Sequence, residues 1–237
     1  MQYVKIKEAI AEQIDSGMLA ARQKLPSERK LAESFNTTRV TLREALSLLE
    51  SEGKIFREDR RGWFISPAPL RYDPVQTSNF TCIAQAQGRK PKTELLAAKS
   101  ILATKRATAL LNLAPFSDIY RVDRVRYLED RPVVYVTHFI RPELFPNLLD
   151  FDLSSSLTDI YREHFGVVYK KTKLRVSTSS LLGESAQTLR ATSGTPTMVV
   201  EKVNYNQNGE LIDCSIEHWR HDAISIESIV ELEASEG

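Results

Sequence analysis

Cysteine is nearly missing from this 237-residue sequence: Cys82 and Cys214 are the only two, far apart and outside any metal-ligand spacing. That excludes a disulfide framework and a four-cysteine metal site, and both thiols are expected to be reduced and buried. Histidine is equally sparse. His138 and His164 stand alone, and His218 and His221 have no further ligand-spaced partner, so neither a metal nor a cofactor is expected. No apolar run approaches the ~20 residues that cross a bilayer, and Met1-Gln2-Tyr3-Val4-Lys5 lacks the apolar core of a signal peptide. No membrane partner is expected, and the cytoplasm is the expected compartment. The sequence also lacks a Gly-x-Ser-x-Gly elbow, a phosphate loop and a catalytic-cysteine signature, so no catalytic residues are assigned and no enzyme is expected. A surplus of one charge is absent too, with 32 Lys and Arg against 31 Asp and Glu. Any nucleic-acid footprint must therefore come from a few basic side chains placed on one face.

What is present is the composition of a folded chain, 42% hydrophobic and 27% charged, at a length that suits a small domain followed by a medium one. Tyr3, Ile6, Ile10 and Ile14 recur at helical spacing, and Asp15-Ser16-Gly17 closes that helix. Ser27 caps a second, short helix with Leu31, Ala32 and Phe35 on its buried face. Thr38 caps a third, striped by Leu42, Ala45, Leu46 and Leu49 and stopped by Gly53. Two helices joined by so short a turn form a helix-turn-helix unit. Ile55-Phe56-Arg57 and Trp63-Phe64-Ile65, around a charged turn, read as a β-hairpin wing.

Residues 1–66 are thus expected to be a winged helix-turn-helix DNA-binding domain, 67–76 a proline-punctuated linker without periodicity, and 77–237 a second domain. Hairpins across 118–139 and 197–219, the latter turning at Asn206-Gln207-Asn208-Gly209, alternate with helices at 104–113, 156–165 and 183–191. That order predicts α+β around a mainly antiparallel sheet.

Buried Leu42 turns Arg39, Val40, Thr41 and Arg43 outward at the start of the third helix, the end that enters a major groove. Arg39 and Arg43 can reach guanine edges or phosphates, and the methyls of Val40 and Thr41 a thymine methyl. Arg29, and Arg61 beside Gly62 in the wing, would hold the backbone. Any one of these arginines alone could be a solvated helix face; their joint order points to double-stranded DNA.

Ile14-Asp15-Ser16-Gly17, Lys24-Leu25-Pro26-Ser27-Glu28-Arg29-Lys30-Leu31-Ala32 and Thr38-Arg39-Val40-Thr41-Leu42-Arg43-Glu44-Ala45-Leu46 resemble the signature of GntR-type transcription regulators. Two positions depart from it: Ala21-Arg22 stands where the family has Pro-Gly, and Arg60 where it has the first glycine of the wing turn. Residues 77–237 resemble the UTRA effector domain of the HutC subgroup, whose fold is shared with chorismate lyase. That likeness rests on Asn79-Phe80-Thr81, Gln87-Gly88-Arg89, Tyr120 through Arg126, Ser156-Leu157, and Gly209 through Asp222. It implies an anion pocket lined by Phe80, Thr81, Arg124, Arg126 and Ser156, with Thr158, Asp213 and Trp219 as further wall positions, Asp213 for an ammonium or hydroxyl group. The family also implies a homodimer, in keeping with paired half-sites.

Strand geometry agrees with the arginine pair. Arg124 and Arg126, two residues apart, share one face while Val125 and Tyr127 share the other. Two guanidiniums side by side repel unless an anion joins them, and a phosphonate or phosphate suits both; the alternative is a solvated edge strand. Amino-sugar-phosphate sensors of the subgroup carry a glutamate where this sequence has Val136, which argues against a sugar. With Arg60 through Pro67 and Arg71-Tyr72-Asp73-Pro74, the chain is similar to regulators of 2-aminoethylphosphonate utilisation. A small phosphonate is the expected effector; a sugar phosphate, or a lyase-like enzyme fused to a DNA-binding domain, are the alternatives.

Overall fold

The computed structural model describes residues 1–73 and 79–229. Three helices open the chain: α1 (Gln2–Asp15), α2 (Glu28–Ser34) and α3 (Arg39–Ser51). The Ser27 hydroxyl accepts the Lys30 amide at 3.3 Å and the Thr38 hydroxyl accepts the Thr41 amide at 3.2 Å, so both expected caps satisfy amides that the first turn leaves unpaired. Ile6, Ile10, Leu31, Leu42, Leu46 and Leu49 bury one common core. The wing follows as β1 (Ile55–Glu58) and β2 (Gly62–Ile65), paired antiparallel, and closes that core with Ile55, Trp63 and Ile65.

Both departures from the GntR pattern fall on left-handed backbone. Arg22 has φ +67° and Arg60 φ +60°, so each arginine occupies a conformation that suits the glycine it replaces. The wing turn closes nonetheless. A side chain in that region costs roughly 1–2 kcal/mol, part of which glycine returns through its freer unfolded state. The Arg60 side chain is 93% exposed and its ion pair with Asp59 is long, so nothing packed is lost on removing it. Arg60→Gly is therefore expected to stabilise the DNA-binding domain by about 0.5–1 kcal/mol in urea unfolding; an unchanged or lower midpoint would contradict the strain.

The second domain comprises β3 (Leu70–Tyr72), α4 (Phe80–Ala86), β4 (Pro91–Leu102), α5 (Lys105–Leu111), β5 (Asp118–Leu128), β6 (Arg131–Ile140), α6 (Leu157–Phe165), β7 (Tyr169–Ser180), α7 (Gly183–Thr188), β8 (Pro196–Asn206), β9 (Leu211–Arg220) and β10 (Ile224–Ile226). Its main sheet has six strands in the order β4-β5-β6-β9-β8-β7, antiparallel at every step. One face carries Ile119, Phe139, Val203, Cys214 and Ile216 against α5. The opposite face carries the pocket.

Two expectations need correction. The stretch read as a linker contains β3, which pairs in parallel with β10 and buries Leu70; three residues are too few to show a period. The expected boundary at residues 76 and 77 lies outside the described residues, as does Pro74. Cys214 is buried as expected, but Cys82 is exposed. The short α4 turns Phe80 and Ala84 inward, at i and i+4, so Cys82 between them faces out.

Candidate effector pocket and nucleic-acid interface

On the DNA-binding side, Arg39, Val40 and Arg43 lie exposed on the first turns of α3, with Val40 at 68% exposure. A valine side chain so open to water at a helix start adds little to the core, whereas a thymine methyl in a major groove would cover it. Thr38 and Thr41 share a hydroxyl contact of 3.0 Å at the cap. Arg43 Nε donates to Glu28 Oε2 at 2.7 Å and Trp63 Nε1 donates to the other oxygen at 3.2 Å, so one carboxylate ties recognition helix to wing. Burial alone would raise the Glu28 pKa, but Arg43 and Trp63 outweigh it and the carboxyl is held below its ordinary value. Arg29 pairs with Glu33 at 2.9 Å along α2. Arg61 pairs with Glu58 across the wing turn, and Gly62 has φ +102°. Sequence reasoning named the arginines but missed Glu28 as the partner that holds Arg43 beside the wing.

In the second domain a cavity of about 540 Å³ opens on the main sheet. Register decides what faces it. Arg124, Val136 and Glu217 lie side by side on β5, β6 and β9, as do Arg126, Val134 and Trp219, and Val122, His138 and Ser215. Lys202 on β8 pairs with Ser215. Phe80 and Thr81 from α4 and Ser156 and Thr158 from the start of α6 close over this face. Ser156 caps α6, accepting the Asp159 amide at 3.3 Å, and meets Thr158 Oγ1 at 2.9 Å. The positive end of the α6 dipole is thus turned towards the cavity wall.

Arg124 is buried and donates only to neutral groups: the Ser155 carbonyl at 2.9 Å, the Leu153 carbonyl at 3.4 Å and His138 Nε2 at 2.7 Å. Burial, then the Arg124 and Arg126 charges, hold His138 well below its ordinary pKa, so its ring is neutral and Nε2 can accept. Arg126 lies over the Phe80 ring at 5.1 Å, and its buried Nε has no hydrogen-bond partner. Among the described residues no carboxylate forms an ion pair with either guanidinium. Burial lowers both arginine pKa values, and for Arg124 the neighbouring Arg126 charge lowers it further. An anion between them would relieve both costs.

Two family descriptions match this chain. Residues 2–65 match the one described as bacterial regulatory proteins, gntR family, and residues 86–225 match the UTRA domain. The HTH-type transcriptional regulator YihL of Escherichia coli (strain K12) is 31% identical over 223 residues, 93% of this chain and 94% of that protein. The chain belongs to the gntR family, with a UTRA effector domain. The HTH-type transcriptional repressor NagR of Bacillus subtilis (strain 168) is 30% identical over 220 residues, 93% of this chain and 90% of that one. The crystal structure of PhnF from Mycobacterium smegmatis superposes with a TM-score of 0.68, covering 96% of this chain and 100% of that one at 22% identity, which shows a shared fold. The protein is a transcription regulator of the GntR and UTRA type, not an enzyme. Among the described residues no helix is long and apolar enough to cross a membrane.

Of the residues expected in the UTRA pocket, Phe80, Thr81, Arg124, Arg126, Ser156, Thr158 and Trp219 all line the cavity. Asp213 does not. It sits one layer behind, where Tyr169 OH and Asn204 Nδ2 donate to it at 2.6 Å each. The acid that faces the cavity is Glu217, four residues further along β9 on the same face. Burial alone would raise its pKa, but Lys202 and Arg126 hold it below the ordinary value. Lys202 Nζ lies 2.8 Å from one oxygen and Trp219 Nε1 2.8 Å from the other. Burial opposes the Lys202 charge, yet Glu217 raises its pKa on balance. Sequence reasoning missed Glu217, Lys202 and His138, which come together only through register.

Proposed function

We propose that the UTRA pocket binds a small anionic effector, foremost a phosphonate such as 2-aminoethylphosphonate, and that its occupancy controls binding of the N-terminal domain to operator DNA. The observation that carries this reading is the pair Arg124 and Arg126, which face the cavity and, among the described residues, form no ion pair with a carboxylate. Ser156 and Thr158 add neutral donors beside them, and Glu217, already paired with Lys202, is the acid on this face that an ammonium group would meet. The DNA contacts are assigned to Arg39, Val40, Thr41 and Arg43 of α3, with Thr38 capping that helix, and to Arg29, Arg61 and Gly62 along the backbone. Two chains reading paired half-sites make the protein a homodimer on its operator.

A sugar phosphate is the second reading. Glu217 lies directly across from Val136, so an acid stands one strand away from the glutamate that amino-sugar-phosphate sensors carry. The absence at Val136 therefore weighs less against a sugar than the sequence alone suggests. Isothermal titration with phosphonates and sugar phosphates separates the two. The proposal expects saturable binding of 2-aminoethylphosphonate; binding of sugar phosphates alone would transfer the pocket to the second reading.

A further inference from the structure

Phe56 belongs to β1 but lies outside the core that its neighbours Ile55, Trp63 and Ile65 build. It is nevertheless only 3% exposed. The effector domain covers it: the Arg131 guanidinium lies 3.4 Å from the ring centroid and that of Arg220 5.4 Å. Around this ring Arg220 Nη2 donates to the Arg57 carbonyl at 2.8 Å, the Asp59 amide to the Arg190 carbonyl at 2.9 Å, and Ser66 Oγ to Asp222 Oδ2 at 2.9 Å. His221 Nε2 meets the Glu50 carbonyl at 2.5 Å, beyond which α3 ends. The wing and the end of the recognition helix are thus docked on the effector domain.

This contact is expensive. Arg131 and Arg220 share the single carboxylate of Asp222, at 2.8 and 3.8 Å. Arg131 Nε and Nη1, Arg220 Nε and Glu50 Oε1 are all buried without a hydrogen-bond partner. A buried polar atom left unpaired is a cost that exposure to water removes. One apolar ring offsets it. An interface so polar opens more readily than an apolar one. It is also continuous with the pocket, because Ser215, Glu217 and Trp219 face the cavity and the next three residues, Arg220, His221 and Asp222, hold the DNA-binding domain.

We propose that Phe56, Arg131, Arg220 and Asp222 form an autoinhibitory latch, which keeps the wing on the effector domain and lowers operator affinity until it opens. The docked wing turn spends its Asp59 amide on the Arg190 carbonyl of the effector domain, a donor that a DNA backbone would otherwise engage. A route from pocket to latch along β9 rests on the effector reading above; the latch itself does not, and its test uses no effector.

Hydrogen–deuterium exchange and operator titration of the full-length protein decide it, with Phe56→Ala on one side of the contact and Arg131→Gln on the other. Arg131→Gln leaves the wing sequence intact, so it guards against local damage in Phe56→Ala. In both variants the Asp59 amide is expected to exchange at least tenfold faster than in the wild type while amides of the α3 core keep their protection. Operator Kd is expected to fall at least fivefold. Unchanged exchange at Asp59 in both variants overturns the latch, and faster exchange with equal or weaker operator binding overturns its inhibitory sign.

Discussion

Arg126→Ala is expected to lose effector binding by roughly 1.5–3 kcal/mol, about ten- to a hundredfold in Kd, the scale of a charge-assisted hydrogen bond. Arg126 is the cleaner of the two guanidiniums to remove. Arg124 is fastened to Ser155, Leu153 and His138, so its loss would also strip partners from the pocket wall. Arg126 gives up a stacking contact on Phe80 and no hydrogen bond that fixes another element. Its loss relieves the repulsion on Arg124 but removes one of the two cations that hold Glu217 ionised, so the stability of the empty protein should change little. Calorimetry on wild type and variant reads the effect directly. Equal affinity in the two would move the anion away from β5, whichever ligand proves to bind.

The second large effect belongs to the recognition helix. Arg43→Ala is expected to weaken operator binding by roughly 1–3 kcal/mol, with loss of discrimination at one base pair. Glu28 holds Arg43 through its Nε, which leaves the two terminal nitrogens of the guanidinium as the donors for a guanine edge. Lys at this position keeps the charge and loses that fork, so Arg43→Lys should recover phosphate attraction without the base preference. Fluorescence anisotropy at fixed salt measures both. Unchanged affinity in Arg43→Ala would remove Arg43 from the interface.

The DNA-binding domain was legible almost residue by residue because its signals are local. Ser27 and Thr38 cap within three residues of themselves, and the stripe of Leu42, Ala45, Leu46 and Leu49 needs only one helix to be seen. The two central hairpins were legible for the same reason, their turns being written in Glu129-Asp130 and Asn208-Gly209. The edge strands β4 and β7 were not. Much of each is exposed on both faces, so no alternation of apolar and polar residues marks them. β3 pairs with β10, more than 150 residues away, and nothing near Leu70 announces that partner.

The pocket divides along the same line. Arg124 and Arg126 could be paired from one strand's periodicity, whereas Glu217, Lys202 and His138 enter through the register of four strands. Asp213 shows the limit from the other side. It has the parity of Glu217 on β9, but Tyr169 and Asn204, which line the cavity, both donate to its carboxylate and stand between it and the open space. Parity gives the face and not what covers it. The docking of Phe56 on Arg131 and Arg220 had no sequence signal, since each side supplies side chains that read as ordinary surface or strand residues until the domains meet.

Filling the anion pocket is expected to change how tightly the winged domain holds DNA. The most direct test is an operator titration of the wild-type protein at fixed salt, followed by fluorescence anisotropy, repeated across a series of 2-aminoethylphosphonate concentrations. Operator Kd is expected to shift with phosphonate until the pocket saturates, and Arg126→Ala is expected to need at least ten times as much phosphonate for the same shift. An operator Kd in the wild type that stays flat while calorimetry shows the phosphonate bound would contradict it.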